Sequence, residues 1–154
     1  MISLKRTNSG DSDFQILVRE LDKELAIRDG AEHAFYAQFN KIAALKYVVL
    51  AYENDAAVGC GAVKEFGENA MEVKRMFVPR ENRGNGIASM VLQELENWTA
   101  ELGYEKCVLE TGYKQPEAIA LYEKNGYFQI PNYDQYIGMD NSICFEKNIS
   151  MSQK

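Results

Sequence analysis

The run Arg83-Gly84-Asn85-Gly86, called the glycine loop below, has the composition of an anion-binding turn. Its glycines allow the backbone to turn tightly and to approach a ligand closely. Apolar residues then recur at steps of four and three, which predicts an amphipathic helix. They are Ile87, Val91, Leu95, Trp98 and Leu102. Because the N–H groups and positive dipole end of this helix would face the loop beside Arg83, the sequence predicts a binding site for an anion, most simply a phosphate.

A dinucleotide site is the alternative for the glycine loop. Gly84-x-Gly86, with Glu110 closing the next predicted strand, matches part of the dinucleotide-binding fingerprint. Two features weigh against it. The third glycine position is Ser89, and the five residues 79–83 separate the preceding strand from the first glycine, whereas in the fingerprint the turn follows the strand directly. The sequence therefore favours a different phosphate-bearing ligand.

The bulk properties are those of an ordinary globular protein of 154 residues with a net charge of −6. One domain is predicted for residues 1–149, with a frayed tail at 150–154. The acidic balance argues against non-specific nucleic-acid binding, which depends on neutralising phosphates. No apolar run reaches the roughly 18–20 residues of a membrane span, and the N-terminus lacks the apolar core of a signal peptide. We therefore expect a cytoplasmic protein with no membrane partner.

Neither metal nor thiol chemistry is indicated. Cys60, Cys107 and Cys144 are far apart and fit neither a metal spacing nor a disulfide framework, so buried free thiols are predicted. No cluster of His, Cys or carboxylate residues has the spacing of metal ligands, and no metal is expected. The only histidine, His33, is expected on the surface, with substrate binding as the alternative.

Periodicity and turn residues predict strands and helices in a definite order. The predicted strands are 2–6, 46–53, 57–65, 72–78, 106–111, 127–130 and 142–148. The predicted helices are one that begins near Ser12 and ends at Gly30, a short one at 32–40, one at 87–102 and one at 116–124. A turn-rich loop is expected at 131–141. This order indicates an α/β protein with a mixed sheet.

Four features refine this arrangement. Ser12 and Gln15 stand at capping-box spacing, and Gly59 with Gly61 indicates a bulge or a close neighbour. The three consecutive strands before the glycine loop predict an antiparallel meander. The strand–helix–strand crossover through residues 87–102 makes the next strand parallel to the one at residue 72.

The chain resembles the GNAT N-acetyltransferase family in this element order and in its motifs. The acetyl-CoA signature of the family is Gln/Arg-x-x-Gly-x-Gly/Ala, and Arg83, Gly86 and Ala88 fill its fixed positions. The run Arg75-Met76-Phe77-Val78-Pro79 resembles the family strand, and residues 116–127 resemble the second motif. The resemblance implies the acyl-CoA N-acyltransferase fold, a mostly antiparallel central sheet with one parallel strand pair splayed around the cofactor.

The resemblance implies that acetyl-CoA is the cosubstrate. The pyrophosphate would meet the backbone of Arg83, Gly84, Asn85, Gly86, Ile87 and Ala88. Main-chain groups of Met76, Phe77 and Val78 would bind the pantetheine arm, and the N–H of Phe77 or Val78 would polarise the thioester carbonyl. Gln115 stands where the family usually has an asparagine against the pantetheine, and its extra methylene departs from that pattern.

The resemblance also implies two groups that move protons during direct transfer in a ternary complex. Tyr122 aligns with the tyrosine that protonates the departing CoA thiolate, with helix packing as its alternative. Glu72 matches a position from which a base is recruited to deprotonate the amine. A solvent-facing glutamate is the alternative for Glu72, and Glu110 is the second candidate base.

The acceptor is expected to be a primary amine of a small molecule. Its pocket would be formed by the first two helices and the 131–141 loop, where the candidate wall residues are Tyr36, Phe39, Tyr133 and Tyr136. Core packing or loop anchoring is the alternative for these aromatic residues. A protein N-terminus or lysine is an alternative acceptor, and a non-catalytic acyl-CoA-binding module is an alternative function. Homodimers are frequent in the family, so the resemblance also admits a homodimer.

Overall fold

The computed structural model describes residues 1–29 and 45–149. Its strands are β1 (Ile2–Thr7), β2 (Tyr47–Glu53), β3 (Ala56–Phe66), β4 (Ala70–Phe77), β5 (Lys106–Gly112), β6 (Phe128–Ile130) and β7 (Ser142–Asn148). Its helices are α1 (Ser12–Asp29), α2 (Ile87–Glu101) and α3 (Pro116–Lys124). The strands form a sheet in the order β1-β2-β3-β4-β5-β7-β6. The predicted mixed α/β fold class is confirmed.

The pairing of the strands follows from their connections. Strand β2 pairs antiparallel with β1 and with β3, and β7 pairs antiparallel with β5 and with β6. Strands β4 and β5 are parallel, from Ala70 opposite Lys106 to Glu72 opposite Val108. A parallel pair needs a long crossover, and α2 supplies it. The predicted parallel pair is therefore confirmed.

The chain divides into two compact units. The first unit comprises Met1–Lys64 and Lys74–Leu95, and the second comprises Glu65–Val73 and Glu96–Lys154. The single domain expected for residues 1–149 stays a prediction. The predicted helix at 32–40, with His33, Tyr36 and Phe39, and the tail at 150–154 lie outside the described residues.

The core of the first unit is formed by one face of α1 on alternate residues of β2 and β3. Its buried members are Phe14, Leu17, Val18, Leu21, Leu45, Val48, Leu50, Cys60, Ala62 and Phe77. The start of α1 differs from the expected capping box. Asp11 Oδ1 accepts the Asp13 N–H at 2.9 Å, and the Asp11 carbonyl accepts the Gln15 N–H. Asp11 is thus the N-cap, because its carboxylate accepts a free N–H of the first turn and its carbonyl accepts the first intrahelical hydrogen bond.

Two glycines of β3 permit a close approach of α2. A Cβ atom on Gly59 would lie 2.8 Å from Ile87 Cγ2, and one on Gly61 would lie 2.9 Å from Leu95 Cδ1. Real Cβ atoms do not tolerate such contacts, so these positions exclude any larger residue. The expected close neighbour is therefore present, and a register shift between Ala51 and Tyr52 of β2 also marks a bulge.

The second unit contains a buried polar cluster beneath its sheet. Glu96 accepts hydrogen bonds of 2.8 Å from Tyr127 Oη and from Lys147 Nζ. Tyr127 thus anchors the segment before β6 instead of beginning the strand, which starts at Phe128. Cys107 and Cys144 are buried free thiols, as is Cys60 in the first unit, in agreement with the prediction. Within residues 1–29 and 45–149, no helix is both long and apolar enough for a membrane span.

Candidate active site

The glycine loop leads directly into α2 in the first unit. Gly84 and Gly86 have φ angles of +87° and +77°, and a Cβ atom on either would meet nothing within 4 Å. Their backbone conformation, rather than lack of space, therefore requires glycine. The Met90 N–H donates to the Gly86 carbonyl at 3.1 Å, so α2 takes Gly86 as its cap. The first turn of α2 contains no acidic residue, and a helix N-terminus of this kind fits an anion.

The Arg83 side chain ties the loop to the protein. Its Nε donates to the Val78 carbonyl at 2.7 Å, and Nη2 donates to the two carboxylate oxygens of Glu24 at 3.0 and 2.8 Å. The guanidinium also lies 5.7 Å from the ring centroid of Phe77. The Arg83 N–H donates to the Arg80 carbonyl at 3.2 Å. The Arg83 side chain therefore fixes the position of the backbone that follows it.

The end of β4 presents its side chains to alternate faces. Phe77 joins the core under α1, whereas Met76 and Val78 lie beside Gly61 and Gly59. The main chain of these three residues is therefore what the strand offers to a ligand. Arg75, just before them, has a φ angle of +59° inside the strand. A left-handed residue other than glycine is rare in a strand and interrupts its regular hydrogen bonding.

Glu72, in the second unit, is a buried carboxylate with 3% exposure, so the alternative of a solvent-facing glutamate is wrong. Its Oε2 accepts a hydrogen bond of 2.7 Å from Tyr133 Oη. Burial, and then the negative charge of Glu72, raise the pKa of Tyr133 well above its usual value, so the phenol stays a donor. The Tyr133 ring packs on Phe66 at 4.7 Å and on Tyr136 at 5.8 Å.

Tyr122 is buried on the inward face of α3. Its ring lies 5.7 Å from Tyr127 and 6.2 Å from Phe145, in edge and tilted contacts. Burial, and then the charge of Glu110, raise the pKa of Tyr122 above its usual value. The hydroxyl is therefore protonated at neutral pH and is a weaker acid than an exposed phenol. At the start of the same helix, the Gln115 carbonyl accepts the N–H groups of Ala118 and Ile119.

No metal centre is present in the part of the chain that the structure describes. Among residues 1–29 and 45–149, no group of three or more His, Cys, Asp or Glu residues could hold a metal ion.

Comparison with known proteins decides the family. The model of the Acetyltransferase (GNAT) family matches residues 15–127, which include the glycine loop, β4 and α3. The chain belongs to the GNAT acetyltransferase family. The IAA acetyltransferase of Azospirillum brasilense is 35% identical to this GNAT chain over 134 residues, which are 85% of this chain and 87% of the relative. The predicted family and the predicted enzyme class are confirmed.

Solved structures agree with the fold of this GNAT protein. A protein of Klebsiella pneumoniae subsp. pneumoniae MGH 78578, assigned as an acyl-CoA N-acyltransferase, superposes with a TM-score of 0.81 at 25% identity, covering 97% of this chain and 98% of that one. The PaiA N-acetyltransferase of Thermoplasma acidophilum, in complex with coenzyme A, superposes with a TM-score of 0.72 at 16% identity, covering 96% and 99%. The second likeness concerns the fold alone.

The structure adds partners that the sequence did not indicate. Glu24 is the partner of Arg83, 59 residues away in the chain, and Tyr133 is the partner of Glu72, 61 residues away. Asp22 is paired with Arg75 across 53 residues. Periodicity in the sequence reports which face of an element is buried, but it carries no information on which polar side chains of distant elements meet.

Proposed function

We propose that this GNAT protein transfers the acetyl group of acetyl-CoA to a primary amine of a small molecule by direct attack in a ternary complex. The observation that carries the proposal is the cap of α2, where Gly84 and Gly86 adopt left-handed conformations against open space. The coenzyme A complex of the PaiA enzyme, which shares the fold, supports the choice of ligand.

The binding residues follow from this cap. The backbone of Gly84, Asn85, Gly86, Ile87 and Ala88 holds the pyrophosphate, since helix N-termini bind phosphate through N–H groups. Arg83 contributes by fixing the loop through Val78 and Glu24. The pantetheine arm pairs with the main chain of Met76, Phe77 and Val78 as an added strand would, and Gln115 offers its amide to the same arm.

The proton transfers are assigned to residues of the second unit. An amine arrives mostly as ammonium and must lose a proton before its nitrogen attacks the thioester carbon. Glu72 takes that proton, directly or through a water molecule, with Glu110 as the second candidate. As the C–N bond forms, the N–H of Phe77 or Val78 stabilises charge on the carbonyl oxygen. As the C–S bond breaks, Tyr122 gives its proton to sulfur, which leaves as CoA thiol, and the Tyr122 phenolate regains a proton as the nitrogen releases its second one to form the neutral amide.

The raised pKa of Tyr122 limits how it acts. Full proton transfer to a free thiolate is unfavourable for a phenol whose pKa exceeds its usual value of 10.0. The transfer becomes least unfavourable at the end of C–S cleavage, when the negative charge on sulfur is greatest. Tyr122 therefore serves as a hydrogen-bond donor that completes its transfer late in the step.

The same proposal includes the conditions of the reaction. Because Cys60, Cys107 and Cys144 are buried free thiols, we place the enzyme in the reducing cytoplasm. We propose that it needs no metal, nucleic-acid or membrane partner, and that a homodimer is compatible with its activity. A protein N-terminus or lysine as acceptor, and a non-catalytic acyl-CoA-binding role, are the alternatives.

Calorimetric titration with acetyl-CoA, with NAD in parallel, tests the binding step. We expect acetyl-CoA to bind and NAD not to bind, and Gly86→Glu to abolish the acetyl-CoA signal. Release of CoA thiol with a panel of small amines, and with peptides carrying a free N-terminus or lysine, then tests the transfer. Binding without CoA release from any acceptor would favour the non-catalytic module, and faster release with peptides would overturn the small-molecule acceptor.

A further inference from the structure

Arg75 is a buried cation with incomplete pairing in the first unit. Its side chain is 2% exposed, and its Nη2 forms an ion pair with Asp22, whose own side chain is 53% exposed. Nε and Nη1 are buried and have no hydrogen-bond partner among the described residues. Because Nε carries one N–H and Nη1 carries two, three donors of one guanidinium are without acceptors.

Unpaired donors on a buried charge are costly, and folded proteins rarely keep them without a reason. Cys60, a buried titratable group beside Arg75, does not supply a counter-charge, because burial raises the pKa of its thiol to about 12 and keeps it neutral. Cys60 Sγ instead lies 3.4 Å from the carbonyl oxygen of Arg75. Among the described residues, the ion-pair partner of Arg75 is the half-exposed Asp22, whose charge water screens.

The backbone at Arg75 carries a second unusual feature. Its φ angle of +59° places a bulky residue in the left-handed region within a strand. Such conformations cost free energy and cluster at ligand-binding and active sites. The strain and the incomplete pairing at one residue are independent observations, and both are explained if the position of this side chain serves a ligand.

We propose that Arg75 binds a carboxylate of the acceptor, so that the acceptor is a small amino acid-like compound carrying both a primary amine and a carboxylate. The inference rests on the proposed acetyl transfer and names its substrate class. Arg75 precedes Phe77, the proposed oxyanion donor, by two residues, or roughly 7 Å along a strand. This separation suits an amine and an acid on the same small molecule.

The charge at Arg75 favours a carboxylate over a phosphate. A guanidinium donates two parallel hydrogen bonds to a planar carboxylate, and the fork matches its geometry. The single positive charge of Arg75 is already paired with the negative charge of Asp22. A singly charged acid therefore adds less uncompensated negative charge at this position than a doubly charged phosphate. A lysine at this position would keep the charge but lose the paired donors.

Matched acceptors test the proposal with the wild-type enzyme. Release of CoA thiol is followed with small L-amino acids, with their carboxamides and with phosphoethanolamine. We expect kcat/KM for the acids to exceed that for the carboxamides by about 10–100-fold, mainly through KM. Equal values for acids and carboxamides, or a preference for phosphoethanolamine, would overturn the carboxylate assignment without any variant having to fold.

Two variants separate recognition from a structural role. Arg75→Gln is expected to reduce kcat/KM for the acids to the level of the carboxamides while changing the carboxamides less than about threefold. Arg80→Gln removes an exposed arginine of the turn after β4 and is expected to change neither. An equal loss for acids and carboxamides in Arg75→Gln would show that Arg75 only supports the fold.

A binding measurement decides the case even if no amine is acetylated. Acetate is titrated into protein labelled with 15N, and the arginine Nε–H resonances are followed by NMR. We expect the Arg75 Nε–H resonance alone to shift. It is assigned as the resonance that is missing from the spectrum of Arg75→Gln and present in that of Arg80→Gln. No shift would overturn the site. A shift without turnover or acetyl-CoA binding would instead retain the carboxylate site and reject the proposed acetyl transfer.

Discussion

Tyr133 Oη donates a hydrogen bond of 2.7 Å to Glu72 Oε2, and this contact joins the loop before β7 to the buried carboxylate of β4. The phenol holds the carboxylate in one rotamer and, because the pKa of Tyr133 is raised, does not compete with Glu72 as a base. Glu72 can then accept a proton through its remaining lone pairs. A pair of this kind combines an orienting donor with a proton acceptor.

This contact predicts unequal effects at three residues. Glu72→Gln keeps the side-chain shape but removes the base, so kcat is expected to fall by about 10²–10³-fold. Tyr133→Phe removes only the orienting bond, and a fall of about 10-fold in kcat is expected, with a loss of about 1–2 kcal/mol in the free energy of unfolding. Glu110→Gln is the matched control. A larger loss of kcat in Glu110→Gln than in Glu72→Gln would transfer the role of base to Glu110.

Tyr122→Phe separates proton donation from packing. The substitution keeps the ring contacts with Tyr127 and Phe145, so the acetyl-CoA affinity measured by calorimetry is expected to stay within about twofold. The value of kcat is expected to fall by about 10–100-fold, because the sulfur leaves without its donor. Since the pKa of Tyr122 lies above 10.0, the hydroxyl keeps its proton up to that pH. A wild-type descending limb near pH 8 that Tyr122→Phe abolishes would contradict this assignment.

Gly86→Ala and Gly67→Ala form a matched pair for the glycine loop. Gly86 has φ +77° and Gly67 has φ +72°, and in both positions a Cβ atom would meet open space. Each substitution forces alanine into the left-handed region and is expected to lower the free energy of unfolding by about 1–2 kcal/mol, measured with urea. Only Gly86→Ala is expected to weaken acetyl-CoA binding. An equal loss of affinity in Gly67→Ala would mean that affinity reports stability alone.

Glu24→Gln tests how Arg83 acts. If Arg83 positions the loop, loss of its partner loosens the loop, and the Kd for acetyl-CoA is expected to rise by about 2–5-fold. The pair is partly exposed, so the free energy of unfolding should change by less than about 1 kcal/mol. If Arg83 binds phosphate directly, Glu24→Gln would release the guanidinium and lower the Kd instead. Calorimetry with acetyl-CoA distinguishes the two by the sign of the change.

The buried thiols predict how stability depends on pH. Burial raises the pKa of Cys60 and of Cys107 from 9.0 to about 12 and that of Cys144 to about 11. A raised pKa in the folded state means that the contribution to stability is complete below pH 9.0 and is lost as pH rises towards the folded values. Each thiol should contribute a slope of up to about 1.4 kcal/mol per pH unit above pH 9. Urea unfolding of the wild type and of Cys107→Ala at pH 7–10 measures it, and the variant should show the shallower slope.

The fold was predictable because its signals are local. The order of strands and helices follows from periodicity and turn residues, and the turn at Gly84 and Gly86 follows from glycine at the end of a strand. Most predicted boundaries lie within two residues of the observed ones, and strand 142–148 coincides with β7. The predicted N-cap of α1 was wrong by one residue, because Asp11 and Ser12 are both favourable N-cap residues.

The site was predictable only where backbone and motif define it. The loop and the end of β4 follow from their own residues, but the partners of Glu72, Arg75 and Arg83 come from elements 53–61 residues away. The left-handed conformation of Arg75 had no signal either, since arginine is neither a turn residue nor a glycine. Such features arise where elements that are distant in the sequence pack together, and this packing depends on the whole core.

Gly61 of β3 affects the proposed binding site through the position of α2, although no substrate needs to contact β3. A methyl group there would meet Met76 Sδ and would lie 2.9 Å from Leu95 Cδ1 and 3.0 Å from Val91 Cγ1, so these side chains, and α2 where they cannot turn aside, would have to shift. Any shift of α2 would move the cap at Gly86, which lies about 7.5 Å from Val91 along the helix axis at 1.5 Å per residue. In a mutational survey, substitutions at Gly61 would therefore lower ligand affinity as if Gly61 contacted the ligand. The size of that loss would measure how much displacement of α2 the binding of a phosphate tolerates.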